Sequence, residues 1–167
     1  SYGDVLGAYS VKDLNVALER HKAAAAFLFS VPGPKMIWQF GEMGYDISID
    51  QGGRLGKKPP KWEYMKVPAR KKLWDVYAGL AELKTSEPVF ATSNFTMDVS
   101  SAVKKVELND VSNDVRLVGN FDMVARTVKP GFSSTGTWYN HFKGITIDVD
   151  DVEMDVTLQP GEFAMFT

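Results

Sequence analysis

Residues 32–44, Pro-Gly-Pro-Lys-Met-Ile-Trp-Gln-Phe-Gly-Glu-Met-Gly, constrain the fold of this chain more than any other stretch. A helical pattern stops at Pro32-Gly33, an apolar run from Met36 to Phe40 follows, and Gly41-Glu42 ends it. The run is apolar on both faces except at Gln39, which is the pattern of a strand buried in the middle of a parallel sheet. Helix and strand make one α/β repeat. A lone repeat has no neighbouring strand to pair with.

The helix before this strand is expected over Ser10–Ser30. Ser10 can cap it, with Asp13 three residues later completing a capping-box-like pair. Leu14, Ala17, Leu18, His21, Ala24, Ala25 and Leu28 recur at spacings of three and four and form one apolar stripe. After the strand, residues 41–68 are rich in Gly and Pro. A loop of that length is usually functional or mobile. A second helix is expected from about Ala69 to Thr85, burying Leu73, Val76, Tyr77, Leu80 and Leu83, and ending at Ser86-Glu87-Pro88.

Beyond Pro88 the period of the apolar residues changes to two. Turns at 109–114, 130–136, 143–144 and 159–161 divide residues 89–167 into about seven or eight strands. The cleanest alternation sets Val152, Met154, Val156 and Leu158 against Glu153, Asp155 and Thr157. The expected fold class is α+β: a helix–strand–helix unit over 1–88, then an antiparallel β-sandwich domain over 89–167.

Composition narrows the functional classes. Hydrophobic residues make up 44% and charged residues 24%, the balance of a globular chain. The formal charge of −2 comes from interspersed acids and bases, with no basic stripe for nucleic acid or an anionic membrane. The longest apolar run, Ala23–Phe29, is too short to span a bilayer. The absence of cysteine excludes disulfides, thiolate metal sites and cysteine nucleophiles.

Four segments, in order, resemble the α-amylase family, glycoside hydrolase family 13. Residues 32–46 resemble the eighth strand of its catalytic barrel and the loop that follows. Arg70–Phe90, with Leu83-Lys84-Thr85-Ser86-Glu87-Pro88-Val89, resembles the eighth barrel helix and its closing phrase. Gly136–Gly144 resembles the Trp-Tyr-Asp phrase of the C-terminal β domain, departing from it at His141 and Lys143. Leu158–Phe163 resembles that domain's last strand.

The resemblance implies that the chain starts near the end of a (β/α)8 barrel, with residues 2–10 as the tail of the segment before helix seven. It implies a parent enzyme that hydrolyses α-1,4-glucans with retention, without a cofactor, and that is secreted, periplasmic or in the cell envelope. The family's three catalytic carboxylates all precede strand eight, so no residue here matches one. A retaining glycosidase holds two carboxyls about 5–5.5 Å apart. The isolated chain is therefore expected to be inactive.

Candidate substrate-binding residues are Glu42, at the barrel end where active sites gather, and Tyr45 and Trp62, aromatic residues of the long loop. Trp38, mid-strand, reads as core, and Trp138, Tyr139 and Phe142 as core or sheet-face residues. Asp148, Asp150, Asp151, Glu153 and Asp155 alternate toward solvent and lack the pattern of a calcium loop. His21 and His141 have no metal-ligand spacing. No metal site is expected. Glucan is the expected ligand of the parent, and the unpaired strand 36–40 is expected to promote self-association. The rival reading is a stand-alone carbohydrate-binding or interaction module.

Overall fold

The computed structural model describes residues 5–167. Of the tail segment 2–10, residues 2–4 lie outside the described residues; the rest forms a small ribbon. In it β1 (Val5–Leu6) pairs antiparallel with β2 (Tyr9–Ser10).

Helix α1 runs from Leu14 to Ser30. Its N-cap is Asp13, not Ser10: Oδ1 of Asp13 accepts from the amides of Asn15 (2.9 Å) and Val16 (3.2 Å). Ser10 is still held in the ribbon opposite Val5, so the chain turns helical only afterwards. The buried face also differs from the expected stripe. Leu14 and Leu28 are exposed, while Leu18, Ala23, Ala25, Ala26, Phe27 and Phe29 are buried. The helix is covered on two sides, by a second helix and by the sheet, so its second half is apolar nearly all round.

Residues 34–38 have no regular secondary structure and no strand partner, and the expected strand 36–40 is absent. Strand pairing needs a second backbone within reach, and no described segment supplies one beside these residues. Trp38, expected in the core, is 67% exposed for the same reason, and Met36 is 84% exposed.

Helix α2, Pro68–Ser86, starts with Pro at its first turn and buries Leu73, Tyr77, Leu80 and Leu83 as expected. It packs along α1. Lys84 Nζ donates to the carbonyls of Phe29 and Val31, both at 3.0 Å. This places a cation at the carboxyl end of α1, where the helix dipole favours it. No described helix is long and apolar enough to cross a membrane.

A short turn at Pro88–Ala91 leads into eight strands: β3 (Phe95–Asp98), β4 (Val103–Asn109), β5 (Asp114–Asn120), β6 (Arg126–Val128), β7 (Gly136–Asn140), β8 (Ile145–Val149), β9 (Val156–Leu158) and β10 (Phe163–Phe166). Six form an antiparallel sheet in the order β3-β4-β5-β10-β7-β8, and β6 pairs with β9 as a separate ribbon. The alternation over 152–158 holds in burial, but only Val156–Leu158 is strand. Residues 151–154 form a turn, closed by the Met154 amide on Asp151 O at 2.9 Å.

One sheet face carries Val106, Leu108, Val115, Leu117 and Met165, which share a core with Leu18, Phe29, Leu73, Tyr77, Leu80, Val89 and Phe90. The other face carries Val118, Trp138, Val149, Ala164 and Phe166, closed by Val128, Phe132 and Leu158 from the ribbon side. Gly119 lies where the helix comes closest: a Cβ there would sit 2.6 Å from the Phe27 ring. Two buried polar residues brace the sandwich. Arg116 donates to Gly131 O, Leu108 O and Asn109 Oδ1 at 2.5–3.0 Å. Asn120 Nδ2 donates to Val124 O and Leu158 O at 2.8 and 3.1 Å.

Because helices and sheet share one core, residues 89–167 expressed alone should melt well below the full chain and expose apolar surface to a hydrophobic dye. A cooperative transition at the temperature of the full chain would contradict this. A second expectation concerns His21, whose Nε2 lies 3.0 Å from Tyr77 Oη across the α1–α2 contact. Burial lowers its pKa below the ordinary 6.5. The unfolded chain therefore takes up this proton before the folded one does as pH falls. The stabilisation from neutral His21 is present above 6.5 and is lost as pH falls through the folded pKa. Melting temperature should fall as the pH drops below 6.5, and His21→Gln should flatten that slope.

Candidate functional site

The unpaired segment 34–38 ends in a tight turn built on Phe40, which adopts φ 56 and ψ 11. It is the one non-glycine residue in the left-handed region among the described residues, an uncommon conformation for an aromatic side chain. The turn is closed by the Gly41 amide on Trp38 O (2.8 Å) and by the Met43 and Tyr45 amides on Phe40 O (3.0 and 3.2 Å). The outcome is an inward Phe40, buried with Met43 and Tyr64 in a small core of its own.

The other aromatic residues of the loop gather on that ring. Tyr45 stacks on Phe40 at 6.0 Å with 23° between planes, and Trp62 meets it edge-on at 4.9 Å and 79°. Beside them lies a groove of ≈590 Å³ lined by Gln39, Phe40, Glu42, Lys57, Lys58, Pro60 and Trp62. A second recess of ≈360 Å³ adjoins it through Lys58 and is lined by Trp38, Gly41, Tyr45, Ile47 and Ile49.

The structure thus brings Glu42 and Trp62 into one groove and sets Tyr45 in the next recess. The Tyr45 hydroxyl is committed to Pro59 O at 2.6 Å, so it offers a ring face rather than a donor. Trp62 is 73% exposed and leaves much of its indole free. Glu42 is half-buried in the short turn Gly41–Met43, and its charge, after burial, helps to raise the pKa of Tyr77. Glu42 is the one carboxylate in the groove lining, which also holds the ammoniums of Lys57 and Lys58. An exposed aromatic face, an amide, a carboxylate and the Lys57 ammonium can hold a polyhydroxylated ligand through stacking and hydrogen bonds, while the Lys58 ammonium is taken up by loop carbonyls.

The loop that carries these residues is fixed by side chains that its spacing does not reveal. Arg70, on the first turn of α2, is 4% exposed. Its Nη1 donates to the carbonyls of Met43 (2.9 Å) and Gly44, and its Nη2 pairs with Asp46 Oδ2 at 2.7 Å. Its guanidinium also lies 3.8 Å from the centre of the Tyr64 ring. The Tyr64 hydroxyl donates to the other oxygen of Asp46, closing the knot. That hydrogen bond, chief among the causes, holds the Asp46 carboxyl below its usual pKa, while burial and then Asp46 push Tyr64 up to about 12. Lys58 Nζ gathers the outer loop by donating to Ile49 O, Gln51 O and Gly53 O at 2.6, 2.6 and 2.9 Å.

One cue for Arg70 is present in the sequence: a cation in the first turn of a helix opposes the dipole and needs a compensating partner. Phe40, Asp46, Lys58 and Tyr64 carry no comparable signal. In the sandwich, Trp138 is buried with Nε1 on Ser134 O at 3.1 Å, and Phe142 packs on Phe163. Tyr139 is partly exposed on the sheet. Asp148 accepts from Thr137 Oγ1 at 2.8 Å and Glu153 pairs with Lys129 at 3.2 Å. No group of three or more His, Cys, Asp or Glu residues among the described residues converges on a metal position.

The knot yields a spectroscopic prediction. One tyrosine should ionise near pH 12 in an alkaline titration followed at the phenolate band, and Asp46→Asn should bring that midpoint down toward 10. The stability linked to Tyr64 is complete below 10 and is lost as pH rises through 12. Arg70→Met should lower unfolding free energy by about 2 kcal/mol or more, since it strands the carbonyls of Met43 and Gly44.

No protein-family model matches the sequence, and no curated protein matches it significantly. Solved structures do match. AmyP in complex with maltose superposes with a TM-score of 0.72 at 18% identity, over 89% of this chain and 34% of that one. A cyclomaltodextrinase gives 0.72 at 18%, over 90% and 26%. The α-amylase of Geobacillus thermoleovorans complexed with acarbose gives 0.68 at 14%, over 89% and 33%. The chain spans about a third or less of the length of these structures, and at such identities the shared property is the fold.

Proposed function

We propose that this chain is the carboxy-terminal part of an α-amylase-type glycoside hydrolase of family 13, acting on α-1,4-linked glucans. In this reading residues 1–88 are the last helix–strand–helix portion of a (β/α)8 barrel and residues 89–167 the C-terminal β-sandwich domain. The single observation that carries it is the fold shared with α-amylases and a cyclomaltodextrinase across nine-tenths of the chain. Supporting it, the groove lies just after residues 34–38, the position of the active face after a barrel strand. Trp62 would offer a stacking face to a glucose ring, Glu42 would accept hydrogen bonds from sugar hydroxyls, and Tyr45 would back the aromatic wall.

Hydrolysis is not assigned to the chain by itself. Glu42 stands alone in the groove, and double displacement needs a second carboxyl about 5–5.5 Å from the first. Incubated with soluble starch at high concentration, the purified chain should release no reducing sugar above buffer. Sustained turnover that survives repurification would overturn the reading.

The second reading, a stand-alone sugar-binding module, is favoured by the exposed indole of Trp62 beside an open groove. Titration with maltooligosaccharides separates the two. Saturable binding abolished by Trp62→Ala supports the module, whereas weak or no binding supports the barrel portion. In the barrel reading, Met36, Ile37 and Trp38 form a surface for neighbouring barrel strands, and in the chain alone a second copy would cover them. Sedimentation equilibrium should then show self-association that Ile37→Lys reduces; a strictly monomeric chain unaffected by the substitution would exclude it.

A further inference from the structure

A cavity of ≈420 Å³ opens at the other end of the α1–α2 pair, lined by Phe29, Gly33, Pro34, Lys35, Ala81, Lys84, Thr85, Phe90 and Ala91. Its volume falls in the range of small-molecule sites, about 300–1,000 Å³. Phe29 and Phe90 form a buried apolar floor, and the two ammoniums of Lys35 and Lys84 border the opening. Arg70, at the groove end of α2, and Lys84 are fourteen residues apart on that helix, or about 20 Å. The two sites therefore do not share a wall.

The charge at this cavity is uncompensated. Neither Lys35 nor Lys84 forms an ion pair with a carboxylate among the described residues. Lys84 directs its protons to Phe29 O, Val31 O and, at 3.4 Å, Phe90 O, so it contributes field rather than a free donor. Lys35 makes one bond, to Pro32 O at 3.3 Å, and keeps donors for a ligand. Burial and then the nearby Lys35 lower the pKa of Lys84, as expected of an ammonium beside apolar walls and a like charge.

We propose that this cavity binds a single-chain aliphatic carboxylate, its head group on Lys35 in the field of Lys84 and its chain against Phe29 and Phe90. A sugar does not suit it, because a pyranose needs a broad exposed ring face to stack on, whereas Phe29 and Phe90 are nearly fully buried and the small surface they leave at the cavity suits a narrow aliphatic chain. An inorganic anion would leave the apolar walls unused.

The test is a titration of the full chain with sodium octanoate, followed by amide chemical shifts. Saturable shifts confined to Gly33, Ala81, Thr85 and Ala91 are expected, leaving Gln39–Glu42 and Trp62 unmoved. Lys35→Gln, at a half-buried position outside any helix or strand, should weaken binding by about tenfold or more, the scale of one charge-assisted hydrogen bond. Octan-1-ol should bind more weakly by a similar factor, and Ala81→Trp, on the outer face of α2, should block the site. Absence of saturation at millimolar octanoate, equal affinity for octanoate and octanol, or binding indifferent to Lys35→Gln would each overturn the proposal.

Discussion

Leu117 and Val118 are neighbours in β5, and both are completely buried, one against the helices and one against the β6–β9 side of the sandwich. Met165 and Phe166 repeat the arrangement in β10, which pairs with β5 in register from Phe163↔Gly119 to Phe166↔Arg116. Successive side chains on a strand point to opposite faces, so two adjacent apolar residues demand cover on both. An antiparallel sheet commonly leaves one face to water, and here it does not. The helices are therefore part of the same hydrophobic unit as the sheet, and the position of α1 follows from the cover β5 requires. Fully burying each of these side chains contributes about 1.5–3 kcal/mol, which explains why Gly119 gives up its side chain to let Phe27 approach.

That docking sets the frame from which the site is hung. Once α1 and α2 are fixed on the sheet, Arg70 is fixed at the amino end of α2, and the loop is tied to Arg70 through Met43 O, Gly44 O and Asp46. A guanidinium removed from water is costly unless its donors are used, so the knot tolerates little variation in loop path. Asp46 remains 57% exposed, and its ion pair alone would be weak. The carbonyl acceptors and the Tyr64 ring are what hold the arginine. Through this chain of supports a long Gly-rich loop becomes a defined groove wall.

The features legible in the sequence are those written in local pattern. The α2 boundaries, the positions of the turns and the switch to period two all follow from spacing, Pro and Gly, and the structure reproduces them. The α1 stripe was harder to read, because a helix covered on two sides has no single apolar face. Ser10 and Asp13 both have capping chemistry, and only the β1–β2 ribbon, a contact between residues around Gly7, decides for Asp13. The clustering of Tyr45 and Trp62 on Phe40 depends on a left-handed Phe40, a conformation that residue type argues against. Glu42, Tyr45 and Trp62 could be picked out by type and position. Their mutual arrangement could not, since it rests on Arg70, Asp46 and Tyr64, which are dispersed over 25 residues.

Met36 to Phe40 marks the sharpest separation between pattern and outcome. Periodicity identifies the faces a segment wants to bury, but a strand is a property of two backbones, and the second need not be nearby in sequence. Here the segment has no strand partner, and at its end Phe40 folds back into its own small core with Met43 and Tyr64. Met36, Ile37 and Trp38 are left exposed in succession, and Trp38 shares a recess with Ile47 and Ile49. Single exposed apolar residues need no explanation, whereas three in succession call for one. The pattern of this segment therefore calls for burial that the described residues do not provide.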